Sequence, residues 1–505
     1  AAGSLIITPT LQMSFVESTL AFKSGTSVTT SSDVDISCLG ASCSTSLAGA
    51  ISCTGAICAL GISSNTIDVG GALRGGVISL FSPTYLAILS SGKLDSFESG
   101  VVISASSILI AGSLQCTASA CSIDVASSNE TSLSGTVYGS TIELFAATDL
   151  TLAASASISA DARGYASATG SGAGKTSLYS GPTYTYNYAN YRWGSGSGGG
   201  HGGDGAVGQY LGYSGYFTGG YPAGGSAYGS AETPWTFGSG GGAMCNQGYA
   251  SSSGAGCPKV GTGGSGGGRI KLEANHALTL SSGSLVSANG GAGTSWSGTD
   301  SSSSGYSYTR SVGSGGGAGG SIQIIGETIA GGGAIRANGG KSGGYGAGAG
   351  SGGRISIKGP AHVSSSIVLE SIGGGAGTNY PSTAGSAGTI YKVVGSQTFL
   401  YFSNAGLNSK TNLLTPYPSE FQFTTKAITQ VVISSTARVQ AVSLYAHEMS
   451  VDGASDIYGA AVLLSFQSLT LLGSIEATTS LTTTDLVASS GADPLLTTTK
   501  KLELA

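Results

Sequence analysis

The chain has 505 residues, of which 87 are glycine and 9% are charged, against averages of about 7% and about 25%. Ser and Thr make up about a quarter. Glycine opposes helices, Ser and Thr compete for backbone hydrogen bonds, and the Glu, Lys and Arg that solvate a helix face are scarce, so a helical protein is excluded. With 40% hydrophobic residues, positive mean hydropathy (+0.21) and a net charge of −5, the composition also lacks the low hydrophobicity and high charge of disordered chains. The thin, near-balanced charge gives no footprint for nucleic acid and no polybasic membrane patch. No apolar run reaches the roughly 18 residues of a membrane span. The first residues lack a basic segment followed by an apolar one, which reads as a secretory signal already removed, and the ending KKLELA reads as that of a piece of something longer.

The first third is organised as a repeat. LAGAISCTGAICALGI from Leu47 matches IAGSLQCTASACSIDV from Ile110 at an offset of 63, and ISLFSPTYLAILSSGKL from Ile78 matches IELFAATDLTLAASASI from Ile142 at 64. The template recurs as IKLEANHALTLSSGSLV from Ile270, aligning Leu86, Leu150 and Leu278. Within each unit, apolar residues alternate at period two in strands of three to five residues separated by Ser, Gly, Ala and Asn. That pattern predicts an all-β fold: a parallel β-helix, or β-solenoid, with three faces and about 21 or 22 residues per coil. The competing reading, an antiparallel sandwich, would call for two-residue Asn-Gly or Asp-Gly hairpin turns between longer strands.

Eight cysteines fall in four local pairs: Cys38 and Cys43, Cys53 and Cys58, Cys116 and Cys121, Cys245 and Cys257. The spacing does not match the tighter pairs of zinc sites. It predicts disulfides and an oxidising compartment, with local pairing and a bridge between stacked turns, such as Cys38 to Cys53, both open. One sequon, Asn129-Glu130-Thr131, agrees with secretion and makes Asn129 the expected glycosylation site.

The expected organisation is an N-terminal solenoid over 1–163, a Gly/Tyr-rich insertion over 164–268, Gly-rich coils over 269–394, and a plainer solenoid or cap over 395–505. The insertion holds 34 glycines, 12 of the 23 tyrosines and only five charged residues. Its aromatic cluster, Tyr184, Tyr186, Tyr188, Tyr191 and Trp193, is the candidate interaction patch, either a sugar- or partner-stacking surface or a small core of its own. Downstream, GSGGGRIKL, GSGGGAGGSIQI and GSGGRISI lead into strands, and ANGG follows others. Asn and Gly there are expected to supply the positive φ of sharp corners, with extended threefold glycine helices as the alternative reading of the runs.

Chemistry is sparse. Gly200-His201-Gly202 and Arg269-Ile270-Lys271 resemble fragments of the polygalacturonase pattern, but no Asp-Asp pair or N-T-D triplet accompanies them, and glycoside hydrolysis needs paired carboxylates. His201 reads as a polar residue packed in a glycine-rich turn. GSGAGKTS has Thr169 where a phosphate loop requires its first Gly, and GGHGGDGAVG around Asp204 lacks the spacing of a nonapeptide calcium loop. His201, His276, His362 and His447 stand far apart with no ligand partners at metal spacing. No catalytic residue, metal or cofactor is assigned, and the chain is expected not to be an enzyme.

The succession GSGGGHGG, YGSAETPWTFGSGGG, GSGGGRIKL and ANGG resembles the glycine-rich repeat regions of very large secreted surface proteins of protists, including proteins of the flagellar hairs, the mastigonemes. The resemblance implies a glycosylated structural block of an extracellular filament or coat that associates with its own copies. The alternatives are a glycan-binding adhesin on a β-solenoid stalk and a polysaccharide-active β-helix enzyme.

Overall fold

The computed structural model describes residues 4–7, 11–55, 58–176, 192–208, 222–247, 259–301, 307–344, 346–377, 383–405, 407, 414–418, 420, 428–441, 443–452, 454–459, 463–471, 474–477, 480–488, 496–498 and 501–504. The described chain is all-β, and its main sheet is built almost wholly from parallel pairs.

In the first stack, strands pair one circuit on and not with the segment that follows them round the corner. Lys93–Ser96, Gly100–Ala105 and Ser107–Ile110 each pair in parallel one circuit later, with Ser113–Cys116, Ser122–Ser127 and Thr131–Leu133. The period-two alternation explains the selection, because every second residue of each strand enters the interior. Three inward columns result. Ile51, Leu73, Leu94, Leu114 and Val137 stack on one face, Leu60, Ile78, Val101, Ile123 and Ile142 on the second, and Ile67, Leu86 and Ile108 on the third. All are buried in one core extending from Val28 to Ile390. Each fully buried Ile or Leu contributes on the order of 1.5–3 kcal/mol, and each rung depends on the two beside it.

The 64-residue repeat corresponds to three rungs, since Leu86, Ile108, Thr131 and Leu150 occupy successive strands of one column. Thr131 breaks the aliphatic run and satisfies its buried hydroxyl on Ser127 Oγ at 2.8 Å. Leu150 and Leu278, aligned by the sequence template, are direct neighbours in register. The intervening chain therefore leaves after one rung and returns to the next.

The long glycine-rich excursions depart from and return to one corner. Chain leaving Ser159, Ser287, Arg336 and Glu370 on the first face comes back into Arg269, Ser321, Arg354 and Thr389 on the second. Higher in the stack the same corner is closed by short loops, two of which carry the Cys53–Cys58 and Cys116–Cys121 pairs. Their Cα–Cα separations are 6.0 and 5.8 Å, and that of Cys38–Cys43, at the next corner, is 5.7 Å, all within the disulfide range. The pairing is local, and the stacked-turn alternative is not adopted among these six.

The first stack ends in a hairpin. Thr389–Val394 pairs antiparallel with Gln397–Ser403, from which a second parallel ladder continues through Ile428–Ser434 and Ser443–Val451. A second core, including Tyr391, Phe402, Tyr417 and Val431, fills this part.

Candidate functional site: the glycine lattice and the strap across it

The glycine runs carry no strand pairing, yet they are hydrogen bonded with a three-residue period. In the run 313–320, Gly315 and Ala318 donate to Gly242 and Ser239, Gly316 and Gly319 to Gly348 and Ser351, and Gly317 and Gly320 to Gly291 and Ala288, over 2.7–3.0 Å. Three further runs donate back: Gly196 and Gly199 to Gly313 and Gly316, Gly264 and Gly267 to Gly315 and Ala318, and Gly340 to Gly317. Donors that recur every third residue toward three directions are the property of an extended threefold helix. The alternative reading of the runs is the one that fits.

Close approach explains the composition. A Cβ on Gly316 or Gly317 would come within 3.0 Å of the carbonyl oxygen of Gly340 or Ser265. Neither glycine has a positive φ, so the requirement is space. The ANGG corners are likewise a correction to the expectation: Gly290, Gly291, Gly339 and Gly340 all lack positive φ. The asparagines instead form a ladder, with Asn289 N–H donating to Asp161 Oδ1 at 2.6 Å, Asn338 N–H to Asn289 Oδ1 at 2.8 Å, and Ile372 N–H to Asn338 Oδ1 at 3.1 Å. Each rung thereby aligns the run that leaves it.

Residues 228–237 lie as a strap across the second face where the lattice meets it. Trp235 and Phe237 cover the guanidinium of Arg269 at 4.6 and 4.8 Å. The Ser321 hydroxyl donates to Thr236 O at 2.6 Å, Arg354 Nε–H to Tyr228 O at 2.8 Å, and Ser356 Oγ–H to Glu232 O at 2.8 Å. Glu232 pairs with Lys358 at 3.6 Å. Glu420 accepts from Ser230 Oγ and from the N–H of Ala231, and Ala231 belongs to the second core. The strap thus ties both cores to the lattice.

His201 sits under it, fully buried. Its Nδ1 is 2.7 Å from Gly319 O, and its Nε2 is 2.8 Å from Thr236 Oγ1. A carbonyl only accepts, so Nδ1 carries the proton and Nε2 accepts from the threonine hydroxyl. Burial, reinforced by the positive charge of Arg354, holds the imidazole down to about 3, a neutral ring at ordinary pH. Burial also lowers Arg354, to about 10, and raises Tyr228. Tyr228 donates to Phe237 O and accepts from Ser239 Oγ at 2.8 Å, so its hydroxyl is satisfied.

The other sequence candidates are dispersed. Asn129 is exposed at a corner, where its Oδ1 accepts from Thr148 at 3.2 Å and its Nδ2 donates to Ser107 Oγ at 3.3 Å. Trp193 lies on Arg192–Gly194, an antiparallel strand opposite Met244–Gln247, on which Gly194 faces Cys245. Cys257, Tyr184, Tyr186, Tyr188 and Tyr191 lie outside the described residues. The Gly200-His201-Gly202 and Arg269-Ile270-Lys271 fragments both meet the strap, at Thr236 and at Trp235. Among the described residues no group of three or more His, Cys, Asp or Glu is placed to hold a metal ion, and no helix is long and apolar enough to cross a membrane. Sequence reasoning missed the roles of Arg354, Thr236 and Glu420; GSGGRISI placed Arg354 at a strand start, but nothing local connects it to His201.

No protein-family model matches the chain, and neither the curated proteins nor the solved structures contain a match.

Proposed function

We propose that the chain is an extracellular structural protein, a segment of a self-assembling filament or surface coat. The architecture in this reading is a parallel β-helix whose corner excursions form a threefold glycine lattice. The observation that carries it is the three-residue hydrogen-bond period of Gly313–Gly320, an arrangement that devotes sequence to rigid backbone packing. Three cysteine pairs at disulfide distance suit an oxidising exterior. The resemblance of the Gly runs to mastigoneme-type surface proteins supports the same reading, with glycans on Asn129 and on exposed Ser and Thr. Sedimentation of the secreted, oxidised chain over a concentration series tests it: growth of long assemblies is expected, and a monomer at every concentration would count against it.

A specific observation favours a second reading, a glycan-binding adhesin. Phe81 and Val102, 52% and 44% exposed, lie on adjacent strands of the second face, with Tyr85, 39% exposed, just past the corner that follows Phe81, and exposed apolar side chains grouped in this way mark interaction surfaces. Glycan-array binding that disappears in Phe81→Ala with Tyr85→Ala would establish this reading, and no binding by the wild type would remove it.

A further inference from the structure

We propose that the 228–237 strap is released by acid and that His201 is its latch. The ring's two nitrogens are both used in the closed arrangement, Nδ1–H toward Gly319 O and Nε2 as acceptor from Thr236. A second ring proton would have to sit between Nε2 and Thr236 Oγ1, displacing the hydroxyl proton that now fills that contact. It would also place a second buried cation beside Arg354, whose guanidinium is directed at Tyr228 O and Thr389 Oγ1, and uncompensated buried charge is costly.

The charged groups around the ring do not offset this. On the 354–359 strand these are Arg354 and Lys358, and Lys358 is committed to Glu232 of the strap. Glu420, from the C-terminal segment, acts on Arg354 and on the strap backbone. Asp204, on the same run as His201, accepts from Ala227 N–H at 2.9 Å and is held above the usual carboxylate range by burial. The strap also supplies the phenol of Tyr228, whose ring lies 4.9 Å from the imidazole.

Opening the strap gives His201 to water, where an imidazole titrates near 6.5. Opening therefore takes up one proton, and below that pH the opening constant rises about tenfold per pH unit until the buried value is reached.

Amide hydrogen exchange of residues 228–237 in the full chain, corrected for intrinsic rates, reads this constant directly. Between pH 6 and pH 4 a rise of about 70-fold is expected in the wild type, with residues Leu86–Ile88 of the first stack unchanged. In His201→Gln the rise should fall below about threefold. A flat wild-type profile, an equal rise in the variant, or a parallel rise at Leu86–Ile88 would each overturn the proposal. Should His201→Gln fail to fold, His201→Asn is read by the same criteria, and the wild-type comparison of strap with rung stands on its own.

Discussion

The Nδ1 nitrogen of His201 lies 2.7 Å from the carbonyl oxygen of Gly319, across 118 residues of sequence. That contact joins a strap-bearing excursion to the central glycine run and fixes the tautomer in which Nε2 must receive a proton from Thr236. Replacing Thr236 by Val keeps the shape and deletes the donor. A buried acceptor left unpaired costs on the order of 1–3 kcal/mol, so Thr236→Val is expected to lower the midpoint of denaturant unfolding, while Thr233→Val, at an exposed position of the strap, leaves it nearly unchanged.

Glycines of the lattice divide by space. A Cβ at Gly317 would drive into the Ser265 carbonyl, whereas one at Gly375 meets nothing within 4 Å. Overpacking commonly costs about 1–3 kcal/mol and more when backbone must yield. Gly317→Ala is expected to destabilise the protein by at least that amount, and Gly375→Ala to stay within about 0.5 kcal/mol of wild type. Equal effects in thermal unfolding would contradict the packing described.

The cysteine pairs make a chemical prediction. Peptide mapping without reduction should recover Cys38–Cys43, Cys53–Cys58 and Cys116–Cys121 as linked species. Each closes a short loop, and the chain-entropy estimate for such a loop is about 2 kcal/mol. Reduction should therefore lower stability without abolishing the fold, because the aliphatic columns run past all three corners.

At Asn129, secretion from a glycosylating host should add one glycan that Asn129→Gln removes, read as a single mass shift. The exposed side chain permits it. The Thr131 hydroxyl of the sequon is buried against Ser127 in the folded chain, so attachment is expected during synthesis, and enzymatic glycosylation of the folded, unmodified chain should fail.

Much of the rung architecture was legible because side chains write it. Leu86, Leu150 and Leu278 stand in one column, and both the template and the return after the long excursion followed from their alignment. The lattice was not legible to the same degree. Glycine has no side chain with which to specify a neighbour, so nothing in GSGGGAGG assigns Gly316 to Gly348 or Gly317 to Gly291. The role of His201 was hidden for a related reason: its partners Gly319, Thr236 and Arg354 come from three separate segments, and their association depends on packing of runs whose sequences are nearly interchangeable. The ANGG motif misled in the opposite sense, since Asn and Gly favour turns with positive φ, yet here Asn338 joins a ladder and Gly339 a threefold run.

The central claim, that glycine runs form a rigid scaffold on a stack of parallel rungs, is tested most directly by residue-resolved amide hydrogen exchange at neutral pH. Gly316, Gly317 and Gly319 are expected to exchange as slowly as Ile270 and Ile322 on the adjoining rungs. Exchange of those glycines within minutes, at the rate of solvated chain, while the rungs remain protected, would contradict it.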